Sequence, residues 1–331
     1  MSNLSSRIRK RLKSTVTAFR SDCTFSPYFG FLRILDELGG RIGLKRISAW
    51  VHVRKDRWIL DYLKRDLSAI LAKYKDNTGC GIPGPDSPVW VCWWTGEESA
   101  PPLVKQCIAS IRRNAGTHPV HLITQSNYAQ YLDIPANVLE VMQSGQVCFA
   151  NFSDYLRFSL LSRYGGLWLD ATIYCAAALS EEIFEMPLFT CKSPERECGY
   201  ISRYRWTSFC FGGSRNGPLF GFMSDALAAF WIKNGRSIDY LLVDYLIELA
   251  YSEIPVVRAL LDAVPYNNLN RDDLQTAMNQ ALPAEALDNV IREDTVLYKL
   301  SWRETYAEKN TDGADTIYSR FIHSDPQRFD K

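Results

Sequence analysis

The stretch of sequence that decides the fold reads Asn151-Phe-Ser-Asp-Tyr-Leu-Arg-Phe-Ser-Leu-Leu-Ser-Arg-Tyr-Gly-Gly-Leu-Trp-Leu-Asp-Ala-Thr172. Its first half predicts a helix from about Ser153 to Arg163, and the pair Gly165-Gly166 ends that helix. The apolar residues Leu167–Leu169 then predict a short buried strand. A helix and a strand joined by two glycines predict that the chain folds back on itself here.

This fold-back carries three charged side chains. Asp154 and Arg157 are three residues apart in the first turn of the predicted helix, and they therefore share a face near its N-terminus. The helix advances about 16 Å before the glycines, and the strand residues return about the same distance. Asp170 therefore comes back level with Asp154, at the edge of the sheet where strands end, helices begin and ligands bind.

The chemistry of these side chains favours a binding site. An Asp–Arg pair on one helix turn is also typical of a surface ion pair, which is worth under about 1 kcal/mol. Asp170 is different, because burying a carboxylate directly after the apolar strand Leu167–Leu169 is costly unless it binds something. Two acids, one arginine and a helix N-terminus suit a phosphorylated ligand with hydroxyl groups, together with a divalent cation.

Outside this stretch, strand patterns alternate with helix patterns. Because parallel strands are joined by helical crossovers, the alternation predicts an α/β fold with a mostly parallel sheet. The predicted strands are Val89–Trp93, Val120–Thr124, Leu167–Leu169 and Val296–Leu300, and the other helices are one opening at Pro101-Pro102, then Leu219–Lys233, Ile238–Tyr251 and one opening at Pro255.

The composition is that of an ordinary globular protein. Hydrophobic residues make up 47% and charged residues 23% of the 331 residues, which excludes a disordered, collagen-like or coiled-coil chain. No apolar run approaches the roughly 20 residues that cross a bilayer, and no signal-peptide pattern follows the N-terminal charges. The nine cysteines include no Cys-x-x-Cys pair, so we expect reduced thiols in a cytoplasmic protein, and the four histidines argue against zinc.

The charge is distributed unevenly. Residues 1–75 hold 17 Lys or Arg and 6 Asp or Glu, a net charge of +11, whereas the whole chain carries +1. Within residues 4–20, apolar side chains recur on one face of a helix and six cations fill the rest. This basic amphipathic helix favours an anionic membrane surface, the inner face of the cytoplasmic membrane. Docking on the protein's own body and an organellar transit peptide are the alternatives.

Glycine and proline mark one boundary in the chain. They are concentrated in residues 77–88, which predicts a linker. The chain is accordingly divided into a basic helical extension at residues 1–76, the linker at residues 77–88 and an α/β domain at residues 89–331.

The quoted stretch also carries a resemblance to known families. The motif Ser153-Asp154-x-x-Arg157, followed by Tyr164-Gly165-Gly166-Leu-Trp168-Leu-Asp170, resembles the core of the family 32 type, DXD-containing glycosyltransferases. It is closer still to the bacterial capsular polysaccharide synthesis proteins, whose pattern reads Gly-Gly-x-Trp-x-Asp-Ala-Thr. The similarity covers about residues 87–325 and extends through Val89–Gly96, the Pro102-x-x-Val-x-x-Cys helix, Phe209–Gly213, Asp239–Asp244 and Leu300-Ser-Trp302.

The resemblance implies a GT-A type nucleotide-sugar binding fold, with the donor at the carboxyl edge of the first strands. By matching position, Trp93 or Trp94 would stack on the nucleotide base. Trp94 is favoured because it precedes the turn at Thr95, which would itself contact the donor. Asp154 and Arg157 would hold the donor sugar and the ribose hydroxyls.

The metal–diphosphate unit is the other part of the implied site. Asp170 would hold it, but Thr172 stands where the usual motif has its second acid, and a hydroxyl is a weak neutral ligand. Mg²⁺ or Mn²⁺ would then be held by Asp170, the donor phosphates and water, with Thr172 in the donor-binding set. His323 is a further candidate contact to the diphosphate or the metal. Without a metal, the diphosphate would be neutralised by Arg203, Arg205 or Arg215.

These observations predict a glycosyltransferase. It would move a sugar from a nucleotide sugar to a hydroxyl of a growing capsular or other surface polysaccharide, free or lipid-linked, with retention of configuration. The alternative is a catalytically weak or inactive subunit that binds nucleotide sugar or glycan, which the missing second acid favours. No nucleic-acid partner is expected, because stacking aromatics are not interleaved with the cations of residues 1–75. Asp239 and Asp244 are interpreted as ordinary exposed helix acids, with contact to the donor or the acceptor as the alternative.

Overall fold

A computed structural model of the protein describes residues 16–42, 45–81, 86–196, 199–281 and 290–323. Residues 16–22 are helical. The further helices are α1 (Pro27–Ile42), α2 (Lys45–Asp66), α3 (Ser68–Lys75), α4 (Pro102–Asn114), α5 (Ala136–Gln143), α6 (Phe149–Tyr164), α7 (Glu181–Glu185), α8 (Pro218–Asn234), α9 (Leu242–Glu253), α10 (Pro255–Ala263), α11 (Asp273–Ala277) and α12 (Ile317–His323). The strands are β1 (Val89–Cys92), β2 (Val120–Ile123), β3 (Gly166–Leu169), β4 (Ile173–Cys175), β5 (Leu188–Thr190), β6 (Cys210–Gly213) and β7 (Leu297–Lys299).

The central sheet has five strands in the order β2-β1-β3-β6-β5. β1 pairs in parallel with β2 and β3, whereas β6 pairs antiparallel with β3 and β5. Four of the five strands therefore run in one direction, with β6 reversed between β3 and β5. The predicted α/β fold with a mostly parallel sheet is confirmed. A separate ribbon pairs β4 antiparallel with β7, so that Lys299 lies opposite Ile173.

Alternate strand residues supply the two faces of the sheet, because successive side chains of a strand point in opposite directions. Trp90 and Trp168 belong to one buried apolar cluster, which also contains side chains of α6, α8 and α9. Val89, Val91 and Leu167 belong to a second cluster with side chains of α4, β4 and α12. The sheet is thus flanked by helices on both faces.

The helices before residue 77 pack on this same core. Phe29 of α1 and Ile59 and Leu63 of α2 share a buried cluster with Phe230 and Trp231 of α8. The division of the chain at residues 77–88 stays a prediction. Most of the amphipathic helix predicted for residues 4–20 lies outside the described residues. Within the described ranges, no helix is long and apolar enough to cross a membrane.

Two helix starts differ from the sequence expectation. Helix α6 begins at Phe149 and not near Ser153, because the Ser153 hydroxyl donates to the carbonyl of Ala150, 2.7 Å away, and does not cap the helix. Helix α9 begins at Leu242 and not at Ile238, because the carboxylate of Asp239 accepts from the amide of Leu241 at 2.9 Å and holds a turn there.

The predicted reversal lies at the two glycines. Gly165 and Gly166 have φ of +72° and +90°, a region that favours glycine. A Cβ atom on Gly166 would lie 2.1 Å from the carbonyl oxygen of Pro88. That oxygen accepts from the amide of Leu167 at 2.9 Å where β1 and β3 begin to pair. Glycine therefore permits the close approach that starts this pairing.

We expect Gly166→Ala to lower the free energy of unfolding by about 3 kcal/mol or more, because the clash with Pro88 adds to the strain of a positive φ. Gly235→Ala is the matched control, since Gly235 has φ of +69° and nothing within 4 Å of an added Cβ. The free energy of unfolding of the control should fall by only about 1 kcal/mol. Urea unfolding measures both, and equal losses would contradict the clash.

Candidate functional site

Asp170 lies at the carboxyl edge of the sheet, directly after β3. Its amide donates to the carbonyl of Phe209 at 3.0 Å, which joins it to the residue before β6. Because β1 and β3 are adjacent and parallel, the residues that follow both strands meet at this edge. The edge is the place where open α/β sheets bind ligands.

Arg157 joins the two acids of the motif. Its Nη1 lies 2.5 Å from Oδ1 of Asp154, and its Nη2 lies 3.1 Å from Oδ1 of Asp170. The guanidinium carbon lies 5.0 Å from the centre of the Trp168 ring, whose Nε1 donates to the same Oδ1 of Asp170 at 3.0 Å. The fold-back thus brings the three motif residues together, as the spacing predicts. The role of each residue in binding stays a prediction.

The helix N-terminus is not part of this cluster, which corrects the sequence expectation. Helix α6 begins at Phe149, so Asp154 and Arg157 lie in its second and third turns and not in its first. Five residues of helix place the first amides about 7.5 Å along the axis from Asp154. The positive charge of the site therefore comes from side chains.

Lys299 is the residue that sequence reasoning missed. Its Nζ lies 2.9 Å from Oδ2 of Asp170 and 2.7 Å from Oγ1 of Thr172. The ammonium also lies 5.1 Å from the centre of the Phe209 ring. A signal was present, because Lys299 is the cation inside the apolar run Val296–Leu300 that predicts a strand.

The surrounding charges keep Asp170 ionised. Burial alone would raise the pKa of this carboxyl, but the Lys299 ammonium and the Arg157 guanidinium, with the Trp168 hydrogen bond, lower it below its ordinary value. The side chain of Asp170 is 29% exposed, whereas that of Asp154 is 9% exposed. Burial raises the pKa of Asp154 to about 6 against the charge of Arg157. Asp170 is therefore the open anionic group of the cluster.

Asp244 is a third carboxyl whose titration is affected by the charge of Arg157. This finding corrects the interpretation of Asp244 as an ordinary exposed acid. Its Oδ1 accepts from Nε1 of Trp206 at 2.9 Å. Burial raises its pKa to about 6, although the Trp206 hydrogen bond and the Arg157 charge act in the opposite direction. Asp239, by contrast, forms an ion pair with Arg33 of α1.

The two predicted stacking tryptophans have different surroundings. Trp94 is half-buried, with its ring centre 5.3–5.5 Å from those of Tyr128, Phe149 and Phe152. Trp93 contacts Trp302 edge to face at 5.8 Å, and Trp302 remains 40% exposed. Both tryptophans follow β1 at the edge that carries Asp170.

Thr95 and His323 have partners other than the cluster. Thr95 is exposed, and its hydroxyl lies 2.6 Å from that of Ser99. His323 is exposed, with its Nε2 3.1 Å from a carboxylate oxygen of Glu308. The contacts that the structure gives these two side chains do not reach Asp170.

The three arginines proposed to neutralise a diphosphate do not join the cluster either. Arg215 follows β6, whose end pairs with the start of β3, so it lies at the opposite edge of the sheet from Asp170. Arg205 is paired with Glu195 and Glu248. Arg203 is exposed. The cations at Asp170 are instead Lys299 and Arg157.

The donor set does not fit a tightly held divalent cation. One carboxylate and one hydroxyl face the position between the motif residues, and the Lys299 ammonium already donates to both. Oδ1 of Asp170 accepts from Arg157 and Trp168. No group of three or more His, Cys, Asp or Glu side chains in the described ranges could hold a metal. Mg²⁺ and Mn²⁺ prefer several oxygen ligands, so the predicted metal finds little support here.

The fold and the cluster define an α/β protein with a charged site at the carboxyl edge of its sheet. A family model described as capsular polysaccharide synthesis protein matches residues 42–321, which is most of the chain. The protein belongs to this capsular polysaccharide synthesis family. The match begins well before residue 87 and includes α2 and α3.

The chain is also similar to solved structures, among them a glycosyltransferase. The solved structure of the PaToxG glycosyltransferase shares 14% identity over 71% of this chain and 94% of that chain, with a TM-score of 0.39. No curated protein matches the chain.

Asp244 makes a testable contribution to the pH dependence of stability. A carboxyl whose pKa is higher in the folded than in the unfolded protein stabilises the fold as the pH falls. Lowering the pH from 7 to 5 should therefore raise the free energy of unfolding by about 1 kcal/mol through Asp244. The Asp244→Asn variant should not show this increase. Urea unfolding at both pH values measures the difference.

Asp315→Asn is the matched control for this measurement. The hydrogen bond and charge of Lys309 lower the pKa of Asp315, so its titration lies below pH 5. For this control, the difference in the free energy of unfolding between pH 5 and pH 7 should equal that of the wild type. An Asp244→Asn protein that also keeps that difference would contradict the assignment.

Proposed function

We propose that this protein is a glycosyltransferase of GT-A type. It transfers a glycosyl group from a nucleotide sugar to a hydroxyl of a growing capsular or other surface polysaccharide, free or lipid-linked, with retention of configuration. The observation that carries the proposal is the cluster at the carboxyl edge, where Arg157 and Lys299 flank the ionised and partly exposed Asp170. Membership of the capsular polysaccharide synthesis family supports the same chemistry.

The charges of the cluster suit the departing diphosphate. In the transfer, the bond from the anomeric carbon to the diphosphate oxygen breaks, and its electron pair leaves with the diphosphate. The acceptor oxygen forms the new bond on the same face, and its proton passes to the departing diphosphate. Fixed cations stabilise the charge that develops on that leaving group. Asp154 and Asp170 offer acceptors to hydroxyl groups of the donor, and their charge favours an oxocarbenium-like sugar.

The aromatic side chains at the same edge of the sheet as Asp170 offer a platform for the nucleotide base. Trp94 is the ring that the sequence favours, but three aromatic neighbours already surround it. Trp302 is 40% exposed, follows Lys299 by three residues and contacts Trp93. Stacking of a base on an aromatic ring is worth about 1–3 kcal/mol and tolerates every base. We therefore assign the stacking role to the Trp93–Trp302 pair.

The alternative, a binding subunit without turnover, is separated from catalysis by donor hydrolysis. Incubation with a panel of nucleotide sugars should release free nucleoside diphosphate from at least one donor. Asp170→Ala should reduce that rate by about 100-fold or more, because it removes the carboxylate that orders both cations. Asp312→Ala, which alters an exposed loop acid, should keep the wild-type rate. Equal rates for wild type and Asp170→Ala would favour the binding subunit.

The N-terminal helices offer a surface for an anionic membrane. Phe31 and Leu38 of α1 and Trp50 and Val53 of α2 are between 44% and 59% exposed. The Arg54 guanidinium lies 4.2 Å from the centre of the Trp50 ring. Apolar side chains beside cations suit the boundary between lipid headgroups and acyl chains. A peripheral position at the inner face of the cytoplasmic membrane is therefore part of the proposal.

A double variant tests this location. Trp50→Glu with Val53→Glu should weaken binding to vesicles that contain anionic lipid by about tenfold or more, because it removes apolar contact and adds negative charge. Leu269→Glu is the control, since Leu269 is 50% exposed and lies outside α1 and α2. Co-sedimentation with the vesicles measures binding. Equal binding by the double variant and the control would exclude this surface.

A further inference from the structure

We propose that the Lys299 ammonium takes the place of the divalent cation at the Asp170–Thr172 motif, so that transfer proceeds without a metal. This inference rests on the proposed glycosyltransferase function. It assigns to Lys299 a direct contact with the diphosphate of the donor. It also explains why a hydroxyl is sufficient at residue 172.

The first argument is the position of the ammonium. Nζ of Lys299 lies between the two motif residues, 2.9 Å from Oδ2 of Asp170 and 2.7 Å from Oγ1 of Thr172. A metal shared by the same two side chains would have to lie in the same place. Because the ammonium carries one charge, a single carboxylate balances it, and a neutral hydroxyl completes its hydrogen bonds.

The second argument is that the ammonium keeps a donor for the ligand. A lysine ammonium has three N–H donors, and Asp170 and Thr172 accept two of them. Among the described residues, no acceptor is placed for the third. The side chain of Lys299 is 28% exposed, so this donor can meet a phosphate oxygen at the open side of the cluster.

The third argument is that the fold holds the ammonium in place. Lys299 ends β7, which pairs with β4 immediately after the motif, and the amide of Leu300 donates to the carbonyl of Thr172 at 2.9 Å. Phe209 packs beside the ammonium on the side of β6. A cation fixed in this way stabilises a developing charge without reorganisation.

The fourth argument is that a metal would meet opposing charges. A divalent ion at Asp170 would lie beside the Lys299 ammonium and near the Arg157 guanidinium, which donates to the other carboxylate oxygen. It would also have to displace the hydrogen bonds that Lys299 makes to Asp170 and Thr172. Like charges at such short range repel, and the repulsion is least screened at partly buried sites.

The chemical step needs no other reactant. The bond from the anomeric carbon to the diphosphate oxygen breaks, and the electron pair stays on that oxygen. Lys299 donates a hydrogen bond to the diphosphate and remains protonated throughout. The acceptor oxygen bonds to the anomeric carbon and its proton passes to the diphosphate, so that the products are the glycoside and the nucleoside diphosphate.

Donor hydrolysis in the presence and absence of metal tests the inference. Wild-type protein should release nucleoside diphosphate from its preferred nucleotide sugar at the same rate in excess EDTA as in Mn²⁺ or Mg²⁺. In EDTA, the rate of release by Lys299→Ala should be lower by about 100-fold or more, because the variant lacks one fixed hydrogen-bond donor to the anion that develops on the diphosphate. Lys309→Ala, an exposed lysine paired with Asp315, should keep the wild-type rate.

A second variant guards against a simple loss of folding. Lys299→Ala combined with Thr172→Asp rebuilds a pair of motif acids without the ammonium, and it should bind Mn²⁺ in a calorimetric titration that the wild type does not respond to. Hydrolysis by this double variant should depend on Mn²⁺. Thermal unfolding confirms that each variant is folded.

Titration with inorganic pyrophosphate in EDTA should show weaker binding to Lys299→Ala than to wild type.

The outcomes separate this inference from the proposed function. Wild-type hydrolysis that requires Mn²⁺ or Mg²⁺ would overturn the role of Lys299 and leave the glycosyltransferase in place. An unchanged rate for folded Lys299→Ala in EDTA would do the same. No release from any donor under either condition would overturn the glycosyltransferase, and the inference with it.

Discussion

The structure depends on one carboxylate that must stay ionised at the end of a buried strand. All four residues of β3 are buried, and Asp170 follows them directly. An anion without partners would be unstable beside this apolar strand. Arg157 of α6, Trp168 of β3 and Lys299 of β7 each donate to Asp170. The requirement for compensating charge therefore ties a helix, the central sheet and the outer ribbon to a single point. In the proposed function, the same contacts also place the cations that would meet the donor diphosphate.

The part of the site that could be predicted from the sequence is the part with local determinants. Asp154, Arg157 and the two glycines lie within one helix and one turn, and their spacing alone predicts that Asp170 returns beside them. Lys299 could not be placed in this way, because it lies 129 residues further along and reaches the motif through the register of a three-residue strand. Asp244 was interpreted as an exposed acid for the same reason, because its partner Trp206 lies 38 residues away along the chain.

The parts of the fold that could be predicted from the sequence were likewise those with local determinants. Alternating patterns predicted β1, β2, β3 and β7 but not β4, β5 or β6. They also predicted the parallel direction of the first three strands, because helical crossovers impose parallel pairing. The reversed β6 and the packing of α1 to α3 on the core depend on contacts between distant residues. Helix starts were displaced by a few residues where serine and aspartate made local hydrogen bonds of another kind. Ser153 bonds back into its helix, and Asp239 holds a turn before the next one.

The separation of Asp170 and Lys299 along the chain also determines when the site becomes complete during synthesis. A ribosome adds about 5–20 residues per second and delivers the N-terminal part of a domain first. Helix α6 and strand β3 are therefore synthesised before β7. At that stage the chain does not yet contain Lys299, which donates to Asp170 in the complete fold. A chain that ends before Lys299 thus carries the motif without one of its two cations.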